Sequence, residues 1–197
     1  MKVKQSLFDR IAPYYGLFFS MQKRNYREIL QENLHHLNLA PGSAVLDVGC
    51  GTGAFCAVLH DFGFQVTGID PAGRMLDTAK KHNRNTDIQF MQGSVLAGLP
   101  FAENAFDCVL ASYVAHGFKR KERLIMYREM WRVSRNLILV HDFNQKSSPL
   151  VYWIERLERS DYQNFQRQAE CEMRQAFNGI RVVQVSSRAS WYIGEKK

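Results

Sequence analysis

The sequence predicts an α/β fold built on a doubly wound, mostly parallel sheet of seven strands with an antiparallel hairpin at its C-terminal edge. Two observations support this prediction. Short apolar runs alternate with segments of helical periodicity between residues 44 and 143, which is typical of parallel strands joined by helices. Two further strand-like runs follow, and their short connection, Ser187-Arg188-Ala189, predicts a hairpin that adds an antiparallel edge.

The individual elements follow from periodicity and from turn signals. The first predicted helix, over residues 21–37, has leucine and isoleucine on one face, and Pro41-Gly42 predicts a turn after it. Strands are predicted at 44–48, 65–69, 88–92, 106–111, 136–141, 181–186 and 190–194, and further helices at 53–61, 73–81, 121–131 and 150–177.

Charge is distributed unevenly along the chain, which carries a formal net charge of +7. Basic side chains outnumber acidic ones by six to three in residues 1–40, by eleven to ten in 41–143 and by nine to six in 144–197. Basic flanks can attract an anionic substrate or a nucleic acid. They can equally form an ordinary solvated surface, and no basic run exceeds Lys119-Arg120-Lys121.

Several classes of protein are disfavoured by the composition. No apolar run approaches the roughly 18 residues of a membrane span, and no signal peptide follows the start of the chain, so we expect a cytoplasmic protein without a membrane span. The cysteines include no Cys-x-x-Cys pair, which favours reduced thiols over a disulfide framework or a zinc site. We therefore predict no metal site.

The most informative segment is Val45–Gly53, which reads Val-Leu-Asp-Val-Gly-Cys-Gly-Thr-Gly. A buried strand runs into a turn with glycine at every second position, and a helix follows. Glycine permits positive φ and a close approach of backbone amides to a ligand, and the helix directs its free amides to the same place. The segment predicts a binding site at the carboxyl end of the first strand.

Two classes of ligand compete for this turn. Gly49-x-Gly51-x-x-Ala54 satisfies the dinucleotide fingerprint, and Asp70 lies where a ribose-binding acid is expected. Asp47, however, stands two residues before the first glycine, where its carboxylate would repel a pyrophosphate. A ligand that carries an amino group or a sulfonium has the opposite preference. Asp47 can also serve simply to cap the turn.

These residues resemble the class I S-adenosylmethionine-dependent methyltransferases, which have a Rossmann-like fold. The resemblance rests on Asp-x-Gly-x-Gly-x-Gly at 47–53, on Asp70 at the end of the second strand, and on Phe106-Asp107 at the start of the fourth. The opening segment, Phe8–Tyr15, is similar to that of the branch that includes the ubiquinone/menaquinone C-methyltransferases. The resemblance covers about residues 6–143.

The resemblance implies S-adenosylmethionine as the cofactor and S-adenosylhomocysteine as the product. The residues it assigns to the cofactor are Tyr15, Asp47, Gly49, Gly51, Gly53, Asp70, Pro71, Met75, Ser94, Val95 and Ser112. Asp47 and the glycines are expected to hold the methionine part, and Asp70 both ribose hydroxyls. Ser94 departs from the family, which usually has aspartate there, so we expect some loss of affinity for the adenine amino group.

Methyl transfer needs a general base only when the acceptor must lose a proton. The candidates are His116, after the fourth strand, and His141 and Asp142, at the end of the fifth. Each of the three can also line the pocket or anchor a loop, and among them we select His116. A lid of aromatic side chains is predicted from the two flanks: Tyr14, Tyr15, Phe18, Phe19, Tyr152, Trp153, Tyr162 and Phe165.

The resemblance also implies a division of the chain and a class of acceptor. We expect one domain over 1–197, with a helical cap at 1–40, a cofactor-binding core at 41–143, and a helical substrate-side insert with the terminal hairpin at 144–197. The chain lacks the Asn/Asp-Pro-Pro-Tyr segment of many nucleic-acid methyltransferases, which favours a small organic acceptor. An RNA methyltransferase, a cofactor-binding protein without activity and, more distantly, a nicotinamide dehydrogenase stay open. The oligomeric state is not predicted.

Overall fold

Strands and helices alternate along the residues that the computed structural model describes, which are 18–144, 161–177 and 179–196. The strands are β1 Ala44–Val48, β2 Gln65–Asp70, β3 Gln89–Gln92, β4 Phe106–Ser112, β5 Ser134–Phe143, β6 Arg181–Gln184 and β7 Ala189–Glu195. The α-helices are α1 Phe19–Asn33, α2 Ala54–Asp61, α3 Gly73–His82, α4 Arg120–Val133 and α5 Tyr162–Ala176.

The strands form one seven-stranded sheet in the order β3-β2-β1-β4-β5-β7-β6. β1, β2 and β3 are parallel, as are β4 and β5, whereas β7 is antiparallel to both β5 and β6. The predicted α/β class, with a mostly parallel sheet and an antiparallel C-terminal hairpin, is confirmed. The hairpin enters the sheet through its second strand, because β7 is buried along most of its length and β6 is mostly exposed at the edge.

The predicted boundaries differ from the observed ones mainly where a helix or strand ends. The first predicted helix extends to residue 37, but α1 ends at Asn33 and a 3₁₀ turn follows at Leu34–His36. β5 is longer than predicted at both ends. The predicted helix at 150–177 is seen as α5, and its residues 150–160 lie outside the described part of the chain.

Two compact units make up the chain, Met1–Pro100 and Phe101–Lys197. In the first, α1 packs on α2: Phe19 contacts Ala54 and Ala57, and the ring of Tyr26 stacks on that of Phe55 with centroids 4.4 Å apart. In the second, α4 packs against β4, β5 and α5. The organisation of residues 1–197 as one domain stays a prediction.

Within the described part of the chain, each helix is too short or too polar to span a lipid bilayer. The cytoplasmic location stays a prediction.

Candidate functional site

The glycine turn of the first unit adopts a backbone that only glycine takes readily. Gly49, Gly51 and Gly53 all have positive φ, at 75°, 53° and 75°. The Gly49 amide donates to the carbonyl of Ile69 at 2.7 Å, which ties the turn to the end of β2. A Cβ on Gly51 would meet no heavy atom of the described residues within 4 Å, so the backbone there is open to a ligand.

Asp47 lies beneath this turn, near the end of β1, with 2% of its surface exposed. The Cys56 thiol of α2 donates a hydrogen bond to its Oδ2 at 3.3 Å. Burial raises the pKa of Asp47 to about 7, the Cys56 bond lowers it, and the charge of Asp70 raises it again. A buried carboxylate of this kind is stabilised in its charged form by a nearby cation.

Asp70, at the end of β2, connects the glycine turn to the start of α3. Its Oδ2 accepts from the Gly51 amide at 2.9 Å, and its Oδ1 accepts from the Ala72 amide at 2.8 Å. The family resemblance implies that both oxygens bind ribose hydroxyls, and the structure gives each oxygen a backbone partner as well. A carboxylate oxygen can accept two hydrogen bonds, so the ribose assignment stays a prediction.

The remaining cofactor candidates of the first unit lie near β2, β3 and α3. Met75 is buried and packs on Ala72. The Ser94 hydroxyl accepts from the Leu96 amide at 3.3 Å, and Ser94 thereby caps a 3₁₀ turn that begins at the buried Val95. The Pro71 carbonyl accepts from Gln92 Nε2 at 3.1 Å. Tyr15 lies outside the described residues, and Ser112 belongs to the second unit.

In the second unit, the carboxyl ends of β4 and β5 bring together two of the three candidate bases. His116 lies in a 3₁₀ turn after β4, and its Nδ1 is 2.7 Å from Asp142 Oδ1. The His116 amide donates to Asp142 Oδ2 at 3.2 Å, and the Phe143 amide donates to Oδ1 at 2.8 Å. Asp142 is fully buried, and 11% of the His116 side chain is exposed.

Aromatic rings surround this histidine–aspartate pair. The ring of His116 lies 4.9 Å from that of Phe143 and 6.4 Å from those of Tyr113 and Tyr162. Tyr113 is held at a positive φ of 54°, and its amide donates to the His141 carbonyl at 2.8 Å. Burial and the charge of Asp142 raise the pKa of Tyr113 to about 12.

His141, the third candidate base, is completely buried. Burial lowers its pKa to about 4, although the charge of Asp142 acts in the opposite direction. The imidazole is therefore uncharged at neutral pH, and its burial keeps it from solvent. His141 is thus more deeply buried than His116, whose side chain is 11% exposed.

Four of the eight aromatic residues predicted to form a lid lie in the described part of the chain. Phe18 is 52% exposed, whereas Phe19, Tyr162 and Phe165 are buried. The other four aromatic residues fall outside the described ranges: Tyr14, Tyr15, Tyr152 and Trp153. The lid stays a prediction.

Comparison with known proteins identifies the domain. Residues 46–137 match the family model described as a methyltransferase domain. The chain is 34% identical over 134 residues to a demethylmenaquinone methyltransferase of Renibacterium salmoninarum, and the match covers 66% of this chain and 53% of that protein. It is 32% identical over 129 residues to "Probable tRNA methyltransferase 9B" of Mus musculus, with coverages of 65% and 26%.

A solved structure shares the fold at low sequence identity. Magnesium protoporphyrin IX methyltransferase of Synechocystis, with S-adenosylhomocysteine bound, superimposes with a TM-score of 0.69 at 19% identity, over 89% of this chain and 83% of that one. The chain spans about half the length of the first curated relative and a quarter of the second. Its matched domain, its relatives and its fold together support a class I S-adenosylmethionine-dependent methyltransferase.

Proposed function

We propose that this chain transfers a methyl group from S-adenosylmethionine to a small organic acceptor. The observation that carries the proposal is the glycine turn of the first unit, with one buried acid beneath it and a second acid hydrogen-bonded to it. When bound, the cofactor supplies an activated methyl group, and the protein supplies binding and orientation.

The residues of this turn fit the cofactor. Open space at Gly51 allows the backbone to approach a ligand closely. Asp47, whose pKa burial raises to about 7, favours a ligand with a positive charge. S-adenosylmethionine carries a sulfonium and an ammonium, whereas the pyrophosphate of a nicotinamide cofactor is an anion that Asp47 would repel.

A small acceptor is supported by a relative and by the second unit. The Renibacterium salmoninarum protein is named for demethylmenaquinone, a small organic molecule. The rings of Tyr113, Phe143 and Tyr162 around His116 suit an apolar or flat acceptor. We assign His116 as the general base for that acceptor.

RNA is the second candidate acceptor, because the Mus musculus relative is named as a tRNA methyltransferase. The basic excess in residues 1–40 and 144–197 suits a polyanion. An RNA substrate predicts binding that weakens steeply with salt, whereas binding of an uncharged small acceptor changes little with salt.

The cofactor assignment is tested by calorimetric titration with S-adenosylmethionine, S-adenosylhomocysteine and NADH. We expect binding of the first two and none of NADH. Asp70→Asn should weaken the binding of S-adenosylmethionine at least tenfold, about 1.4 kcal/mol, because one ribose-facing oxygen becomes a donor. Asp77→Asn is the matched control, since Asp77 is exposed on the same stretch of chain.

Each outcome of this titration selects among the alternatives. Near-normal affinity in a folded Asp70→Asn variant would remove Asp70 from the site, and binding of NADH alone would replace the methyltransferase assignment with a dehydrogenase. Transfer of labelled methyl groups is then measured with a panel of small acceptors and with tRNA. Transfer to tRNA alone would contradict the small acceptor, and binding without any transfer would indicate a cofactor-binding protein.

A further inference from the structure

We propose that Asp142 is a positioning residue that holds His116 as a general base through Nε2, and that the acceptor is therefore an X–H group that loses its proton as it is methylated. This inference rests on the proposed function and specifies its acceptor class. It is carried by the hydrogen bonds of one buried carboxylate at the end of β5.

The protonation of His116 follows from the partners of Asp142. Each oxygen of this carboxylate accepts from a backbone amide, Oδ1 from Phe143 and Oδ2 from His116. Because an amide N–H can only donate, the carboxylate acts as an acceptor here. His116 Nδ1, at 2.7 Å from Oδ1, is therefore the protonated nitrogen, and the neutral ring has its lone pair on Nε2.

The ring bond does more than anchor the loop. The two backbone amides already attach the 3₁₀ turn after β4 to the end of β5. The additional bond to Nδ1 fixes the tautomer and the orientation of the ring, which is the role a carboxylate has beside a catalytic histidine. Asp142 is fully buried, whereas the His116 side chain keeps 11% of its surface exposed, so the imidazole is the member of the pair that an acceptor can reach.

Two tyrosines and a histidine are the titratable groups that ring contacts place near His116 in the described part of the chain. Tyr113 and Tyr162 face His116 with ring centroids at 6.4 Å, and His141 lies 4.9 Å from Tyr113. The pKa of Tyr113 is about 12 and that of His141 about 4, so both side chains are neutral at pH 7. Tyr113 and His141 therefore add no charge beside His116, and the carboxylate of Asp142 faces its Nδ1.

Proton and charge balance when His116 accepts the proton. A lone pair of the acceptor atom forms the new bond to the methyl carbon, and the electron pair of the broken carbon–sulfur bond stays on sulfur. The X–H proton moves to Nε2 of His116. One positive charge disappears from the sulfonium and one appears on the imidazolium, where the buried carboxylate of Asp142 stabilises it.

The inference is tested by the variant Asp142→Asn. The control is Asp107→Asn, which makes the same change of carboxylate to amide in an ion pair with Arg135. Asparagine keeps one acceptor oxygen, so its NH2 group must face either the His116 amide in place of Oδ2, or both the Phe143 amide and His116 Nδ1 in place of Oδ1. We expect kcat to fall about 10²-fold or more, while KM and cofactor affinity change less than threefold. Nitrogen chemical shifts of the neutral His116 ring, recorded without cofactor, should show the Nδ1–H tautomer in the wild type and a larger share of the Nε2–H tautomer in the variant. His116→Gln should lose turnover to a similar extent and bind the cofactor normally.

Two results would overturn the inference: wild-type turnover in a folded Asp142→Asn variant, or a wild-type His116 that is protonated on Nε2 when neutral. If Asp142→Asn does not fold, the dependence of wild-type turnover on pH is the deciding measurement. Turnover must decrease as the pH is lowered, because a protonated His116 cannot accept a proton. A turnover that does not change with pH would contradict a histidine base. Failure of the proposed function can be told apart from failure of this inference. In the first case the wild type would neither bind S-adenosylmethionine nor transfer methyl groups, whatever the tautomer of His116.

Discussion

The glycines in the turn after β1 differ in what a larger side chain would contact at each position. All have positive φ, which costs a residue with a Cβ about 1–2 kcal/mol. At Gly53 the added Cβ would also lie 2.9 Å from Phe90 Cζ and 3.1 Å from Ala79 Cβ. At Gly51 it would meet none of the described atoms. Gly53 is therefore required for packing, and Gly51 leaves room for a ligand.

A pair of alanine substitutions separates these two roles. We expect Gly53→Ala to lower the free energy of unfolding by about 2–5 kcal/mol, because overpacking adds about 1–3 kcal/mol to the backbone strain. Gly51→Ala should lose only about 1–2 kcal/mol from backbone strain and weaken cofactor binding instead. Urea denaturation with calorimetric titration measures both, and equal losses of stability would show that Phe90 and Ala79 yield to the new methyl group.

Single residues also show which parts of the site a sequence can predict. Asp47 and Asp70 were predicted at strand ends because their motif is local, and the structure places them there. The pairing of His116 with Asp142 was not predicted, since it depends on the parallel register that sets Ser112 opposite His141. The bond from Cys56 to Asp47 likewise depends on how α2 packs beneath the turn.

At the scale of elements, α4 and α5 are joined by a buried ion pair. Arg123 is fully buried, and its Nε and Nη2 donate to the two carboxylate oxygens of Glu172 at 2.7 and 2.9 Å. Its Nη1 donates to Asp161 Oδ2 at 2.8 Å. Burial acts to lower the pKa of Arg123, but the bonds to Glu172 and Asp161 hold it above its ordinary value. Periodicity alone does not predict a buried arginine, because the acids that pair with it lie about 40 to 50 residues further along the chain, at the start of α5 and within it.

Replacing one member of the Arg123–Glu172 pair should lower the free energy of unfolding much more than replacing both members with apolar residues. Arg123→Met removes the buried charge partner of Glu172 and leaves the largely exposed Arg120, 3.5 Å from Glu172 Oε1, so we expect a loss of about 3–5 kcal/mol in the free energy of unfolding. The double variant Arg123→Met/Glu172→Leu should recover most of that loss, and Arg128→Met, on the exposed face of α4, should change stability by less than about 0.5 kcal/mol. A double variant no more stable than the single one would show that the pair itself stabilises the fold.

For the whole molecule, two buried groups make stability depend on pH in opposite directions. The pKa of Asp47 is raised from 3.8 to about 7 in the folded state, so its contribution is present at low pH and is lost as pH rises towards 7. The pKa of His141 is lowered from 6.5 to about 4, so its contribution is present above 6.5 and is lost as pH falls towards 4. Between about pH 4 and 6.5 the two effects oppose each other.

Substitution of the histidine exposes its share of this balance. Relative to the wild type, His141→Gln should gain stability as pH falls from 7 to 4, by on the order of 3 kcal/mol for a group this buried. Denaturant unfolding of both proteins at several pH values measures the difference. A difference that stays constant with pH would mean that His141 can take up its proton in the folded state.

The fold was more predictable than the order of its last strands. Alternating apolar runs and helical segments predicted all seven strands, because each pattern reports burial of a local stretch. They did not indicate that β7, rather than β6, pairs with β5. That choice depends on side chains of the whole second unit, where Trp191 and Ile193 of β7 are buried and Val182 of β6 is exposed.

The order β5-β7-β6 has a consequence for the time course of synthesis. On the ribosome, β6 emerges before β7, yet its neighbour in the sheet is the later strand. Until residues 189–195 have emerged, one edge of β5 with its apolar run Leu137–Val140 has no strand beside it, and β6 has nothing to join. An apolar strand edge left open in this way is where a nascent chain is prone to pair with the wrong partner. This half of the sheet therefore depends on its last strand for protection as well as for completion.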